Sequence, residues 1–225
     1  MARFLAVLAV VATGLVPQAL GAQMPDPIDG VEVDADAGTL MGSRENGVQV
    51  FRGVPYAAAP TGENRWRAPQ PVEPWAGVRA ATAHEPPCAQ PVDTDTTVAN
   101  FGGVNGAQSE DCLYLTITAP ENAQGAPVLV WFHGGAFFLG AGSLGSYDGT
   151  ANAQQGVITV SVNYRLGALA NFVHPALDAQ HPDEPQGNYA LQDAVAVLEW
   201  VRGNIAAFGG DAEQVTVAGQ SAGGG

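Results

Sequence analysis

The chain has 225 residues, 46% of them apolar, enough for one α/β domain or two small ones around a packed core; disorder over most of its length is excluded. Its formal net charge is −14, and all eight of its basic residues are arginine. Such a field repels phosphate backbones, and without lysine there is no P-loop, so nucleic-acid binding and nucleotide hydrolysis are set aside.

Residues 1–22 carry Arg3, an apolar run from Phe4 to Val16, and small residues at Ala19, Gly21 and Ala22. This is the pattern of a secretory signal peptide, with cleavage expected after Gly21 or Ala22. The run is shorter than the roughly 20 residues that span a bilayer. Export is therefore expected rather than anchoring, no other segment reads as a membrane span, and the mature protein is expected to be soluble and secreted or periplasmic. Residues 23–225 form the domain proper.

The only cysteines are Cys88 and Cys112. They can pair or remain as buried thiols; an oxidising compartment and polar neighbours favour the bridge. Closing that loop contributes about 3 to 4 kcal/mol on the loop-entropy account.

Val31–Val33, Gly38–Gly42 and Val48–Phe51 predict short strands in an antiparallel meander. From Pro55 to Pro91 the chain is proline-rich, with Trp66 and Trp75 interleaved and no sustained period, which predicts an ordered surface wrap. Leu113–Thr118 reads as a further strand. Pro127–Phe132 and Val157–Val162 are continuous apolar runs, expected of strands covered on both faces.

A helix is predicted from a cap at Asn188, with Leu191, Val195, Leu198, Val201 and Ile205 at 3- and 4-residue spacing and a stop near Phe208–Gly210. Gln214–Val217 then forms a strand that runs into Gly219-Gln220-Ser221-Ala222-Gly223. Helix, strand and sharp turn are the order of a crossover unit in a largely parallel sheet.

That last segment fits a nucleophile elbow, in which Gly219 and Gly223 make room for a tight strand-to-helix turn and Ser221 projects above the sheet. The Ala222 N–H would lie where developing negative charge is stabilised. The chain has 29 glycines, so the motif alone is weak evidence. A second piece supports it: His133-Gly134-Gly135-Ala136-Phe137 follows an apolar strand directly, and a glycine-rich turn there can aim backbone N–H groups at one point. His133 is expected to brace that turn by a hydrogen bond rather than act as a base. His84, His174 and His181 lie in proline-flanked segments and read as surface or turn residues.

Six blocks together resemble the type-B carboxylesterase family of α/β-hydrolases: Phe51–Ala57, Glu110–Leu115, His133–Phe137, Asn163–Ala168, Asn204–Asp211 and Gly219–Gly223. The resemblance runs from about Val31 to the end. It implies an α/β-hydrolase fold in which antiparallel strands lead into a mostly parallel sheet ending at the elbow. It further implies Ser221 as the nucleophile, the N–H groups of Gly135, Ala136 and Ala222 as oxyanion donors, and a Cys88–Cys112 disulfide. In that fold the triad acid and histidine follow the serine. The chain thus reads as the N-terminal part of a serine carboxylesterase, truncated after its nucleophile, and inactive and poorly stable alone.

No metal or cofactor is implied, and the expected partner is a small-molecule carboxylic ester. Gln220 stands where many members carry glutamate. The Cys88–Cys112 loop lacks tryptophan, Phe101 being its only aromatic, which disfavours choline esters. Two other readings compete. One is a non-catalytic adhesion module on the same scaffold, disfavoured because Ser221 is retained. The other is a dinucleotide-binding oxidoreductase, prompted by Gly140-Ala141-Gly142-Ser143-Leu144-Gly145, which starts eight residues past Phe132 instead of directly after a strand.

Overall fold

In the computed structural model, residues 29–91, 104 and 106–225 are described; the signal-peptide reading at 1–22 and Phe101 lie outside them. One mixed sheet organises these residues. Strands β1 (Gly30–Ala35), β2 (Gly38–Glu45) and β3 (Val48–Pro55) form the predicted meander. Asn46 and Gly47 close the β2–β3 hairpin with φ of 52° and 77°. Two successive left-handed residues make a turn that matches the strands' twist, which is why asparagine and glycine stand there.

The proline-rich wrap holds a single 3₁₀ turn at Gly62–Asn64 and a three-residue strand, β4 (Val78–Ala80), parallel to β2. Cys88 and Cys112 are bonded, with Cα atoms 4.9 Å apart. Strand β5 (Tyr114–Pro120) lies antiparallel between β3 and β7 (Ile158–Val162). Strand β6 (Ala126–Phe132) is parallel to β7 on one side and to β8 (Gly210–Gly219) on the other.

Helix α1 (Thr150–Gln154) connects β6 to β7. Short helices α2 (Gly167–Asn171) and α3 (Pro175–Gln180), then the long α4 (Tyr189–Asn204), connect β7 to β8. Both crossovers return to strands flanking β6, so right-handed connections place α1 and α4 on opposite faces. Packing agrees: Ala153 of α1 clusters with Val48 and Val50, whereas Phe208, just after α4, meets Phe51 edge-on at 4.9 Å. Adjacent residues of β3 thus serve two cores.

Every residue of β7 is buried, the polar Thr159 and Ser161 included, as expected of a strand covered on both faces. Strand β6 departs from the same expectation. Val128, Val130 and Phe132 are buried, but Leu129 and Trp131 are only half-covered because α1 is five residues long and reaches only part of that face.

Helix α4 departs more. Val201, and Ile205 just beyond the helix, are buried as expected, but Leu191, Val195 and Leu198 are exposed, and Tyr189, Asp193 and Val197 face inward instead. Asn188 stands at the N-cap with φ 51°, left-handed, and its side chain makes no capping bond. The Gly140–Gly145 pattern opens no helix; a 3₁₀ turn at Gly145–Tyr147 follows. Among the described residues no helix is long and apolar enough to cross a membrane.

Candidate active site

Strands β6 and β8 run side by side with Phe132 opposite Gly219, so the segments leaving them start at the same level of the sheet. This is the carboxyl end of parallel strands, where α/β sheets commonly place ligands. After β8 only Gln220 intervenes before a 3₁₀ turn at Ser221–Gly224. Ser221 has φ 53° and is exposed. A non-glycine residue in that region costs of order 1–3 kcal/mol, and such strain persists where surrounding contacts over-determine it.

Those contacts explain the glycines. A Cβ on Gly219 would collide with the Gly223 carbonyl, and one on Gly223 would collide with the Phe132 carbonyl and lie 2.6 Å from that of His133. A Cβ on Gly134 would collide with the Gln220 side chain and lie 2.8 Å from the Gln220 carbonyl. The Gln220 N–H donates to the Phe132 carbonyl at 3.3 Å. The elbow bearing Ser221 and Ala222 is therefore packed directly on the turn bearing Gly135 and Ala136.

The turn is held in an unusual shape: Gly135, Ala136 and Phe137 have φ of 116°, 54° and 62°. The Gly135 carbonyl accepts from the N–H groups of Phe138 and Leu139 at 2.9 and 3.1 Å. A peptide is planar and trans, so pinning that carbonyl sends the Ala136 N–H to the opposite side. Among the described residues, no backbone or side-chain hydrogen bond uses the N–H of Gly135 or Ala136.

His133 is 1% exposed, and burial pulls its pKa down to about 4, so it is neutral near pH 7. Its Nδ1 lies 2.7 Å from the Gly134 carbonyl; a carbonyl only accepts, so Nδ1 carries the proton. The other histidines stand apart from the serine. His84 Nδ1 meets the Thr116 hydroxyl, His174 caps α3 through the Ala176 N–H, and His181 follows the end of α3. No hydrogen bond among the described residues joins the Ser221 hydroxyl to a histidine or carboxylate, and no group of three or more His, Cys, Asp or Glu is arranged to hold a metal.

Beside the elbow lies an open groove of about 500 Å³, lined by Phe132, Phe137, Tyr164, Leu191, Val195 and Val217 among others. Sequence reasoning assigned no role to the residues that follow β7. Asn163 accepts the Gly142 N–H at 2.8 Å through its side chain and the Tyr56 hydroxyl at 2.8 Å through its carbonyl. An asparagine directly after a β-branched strand was the available signal.

The sequence model of the Carboxylesterase family matches residues 29–225. The para-nitrobenzyl esterase of Bacillus subtilis (strain 168) is 46% identical over 195 residues, 85% of this chain and 38% of that protein. The fumonisin B1 esterase of Sphingopyxis macrogoltabida is 44% identical over 181 residues, 80% of this chain and 33% of that protein. A solved PNB esterase structure superposes with a TM-score of 0.77 at 45% identity, over 85% of this chain and 39% of that one. The chain thus spans under two-fifths of the length of these relatives. Its fold is that of the α/β-hydrolase esterases, and a family match covering the whole of the described structure makes the chain a member of the carboxylesterase family.

Proposed function

We propose that this chain carries the nucleophile and the oxyanion donors of a serine carboxylesterase. The carrying observation is the exposed Ser221 at φ 53°, packed against a turn whose Gly135 and Ala136 N–H groups have no partner within the described chain. In this reading the Ser221 oxygen attacks the carbonyl carbon of a small neutral ester while a base takes its proton. The carbonyl oxygen becomes an oxyanion facing the N–H groups of Gly135, Ala136 and Ala222, and the alcohol leaves with a proton. Water then hydrolyses the acyl-enzyme by the same steps. In this reading the base and its orienting acid follow Ser221 along the chain, in the order of the α/β-hydrolase triad, and among the described residues no histidine or carboxylate bonds to Ser221.

In the complete enzyme, Ser221→Ala is expected to abolish hydrolysis of a p-nitrophenyl ester and labelling by a fluorophosphonate. Retained turnover would end the assignment. The isolated 225-residue chain is expected to show no Ser221-dependent hydrolysis. We further propose export to the periplasm or medium, supported by the pattern at residues 1–22 and the disulfide. The check is the mature N-terminus, expected just after Gly21 or Ala22.

A further inference from the structure

Two peptide planes of the Gly135 and Ala136 turn need fixing if their N–H groups are to meet an oxyanion. Hydrogen bonds from Phe138 and Leu139 fix the second. The first, between Gly134 and Gly135, is fixed by the imidazole of His133 through the Gly134 carbonyl. What fixes the imidazole is Tyr164. Its ring lies on that of His133 with centroids 4.3 Å apart and planes 15° apart, and its hydroxyl donates to the His133 carbonyl at 2.5 Å.

From the other direction Gly140 closes on the imidazole: a Cβ there would collide with Nδ1 and lie 2.6 Å from the Gly134 carbonyl. Both rings are buried, at 1% for His133 and 3% for Tyr164. Tyr164 is itself anchored, because its neighbours Asn163 and Arg165 are tied to Gly142 and Asp193. The ring stack and the hydroxyl bond thus refer the turn after β6 to the rigid end of β7.

The geometry points to Tyr164 as a positioning residue for the oxyanion site: through His133 it sets the direction of the Gly135 N–H. Ala136 and Phe137 sit in the left-handed region, which disfavours residues bearing a Cβ, so the turn cannot hold this shape by local preference and depends on the clamp. Tyr164 borders the groove but is only 3% exposed, its ring stacked on His133 and its hydroxyl spent on the His133 carbonyl. Ring and hydroxyl act by keeping a peptide plane from rotating. A misaimed donor weakens oxyanion binding in the transition state while leaving ester binding in the ground state unchanged.

This rests on the esterase reading above, and the experiment separates the two. In the complete enzyme, rates are divided by the number of Ser221 sites titrated to completion with a fluorophosphonate, so loss of folded protein does not count. Tyr164→Phe keeps the stack and removes the hydroxyl; kcat per titrated site is expected to fall by about 10- to 100-fold, less than the loss of a whole donor, with KM within about twofold. Inhibition by a trifluoromethyl ketone, which forms an oxyanion on the serine, should weaken by the same factor. Gly140→Ala attacks the clamp from the opposite side and should reproduce the split. Unchanged kcat and unchanged ketone affinity in both variants, with an active wild type, would overturn the clamp. So would a rate loss without loss of ketone affinity. A wild type that neither turns over nor titrates would instead sink the esterase reading.

Discussion

Arg165 and Asp193 form an ion pair that neither partner shares with solvent: Nη2 lies 2.6 Å from Oδ1, and the side chains are 3% and 0% exposed. The arginine also donates through Nη1 to the Arg67 carbonyl at 2.7 Å and lies over the Tyr189 ring at 5.0 Å. One pair thus joins the segment after β7, the proline-rich wrap and α4. Asp193→Ala leaves a guanidinium buried without its counter-charge and is expected to cost about 3–5 kcal/mol. Replacing both, as Arg165→Met with Asp193→Leu, should restore most of that, because the charge requiring compensation is gone. Urea unfolding midpoints test this; equal losses in the single and double variants would show that charge compensation is not the cause.

His133 makes stability depend on pH in a defined direction. Burial holds its folded pKa at about 4, against an ordinary value of 6.5, with the bond to the Gly134 carbonyl opposing. Between those values the unfolded chain binds the proton and the folded one does not. The contribution is therefore complete above pH 6.5, shrinks as pH falls toward 4, and changes no further below that. A difference of this size corresponds to about 3 kcal/mol. His84 is pulled down as well, chiefly by burial and then by Arg52, so it adds loss of the same sign. An NMR titration separates the two: the His133 ring resonances should hold steady from pH 7 down to about 5. Titration near 6.5 would contradict its burial.

Where sequence and structure part, the cause is how far each covering element reaches. The apolar runs of β6 and β7 read alike, yet only β7 is covered throughout, because α1 ends after Gln154 and leaves Trp131 half-exposed. Helix α4 was legible as a helix but not in its facing. Leu191, Val195 and Leu198 gave a persuasive stripe, while the buried face is set by Asp193, whose inward position depends on an arginine distant in sequence. The elbow could be read because its two glycines, four residues apart, answer a local collision between Gly219 and the Gly223 carbonyl. Tyr164 could not, because its importance lies in a contact across 31 residues that no periodicity encodes.

The disulfide joins Cys88 to Cys112 across a separation of 24 residues, and both cysteines pack in the main core at 3% and 1% exposure. Backbone bonds from Ala89 to Ser109 and from Ser109 to Pro87 already hold the two ends together in the folded state. Removing the bridge therefore acts mainly on the unfolded chain, which regains loop entropy. Cys88→Ala with Cys112→Ala is expected to lower stability by about 3 kcal/mol while preserving the fold. Matched denaturation curves and far-UV spectra give the check; a changed spectrum would mean that the bridge shapes the native state as well.

Strand β8 pairs with β6 alone among the described residues, so its other edge offers unpaired N–H and C=O groups. Val217 on that strand is 53% exposed, and across the groove Leu191 and Val195 of α4 are 66% and 50% exposed. An open strand edge beside an apolar trough is a template for association. The 225-residue chain by itself is expected to bind an environment-sensitive apolar dye and to self-associate at micromolar concentration. Val217→Lys places a charge on the edge and should shift the population toward monomer in sedimentation or light scattering. Because the valine is exposed, unfolding free energy should change by less than about 0.5 kcal/mol. A chain that sediments as a dye-free monomer before any substitution would show that this edge does not drive association.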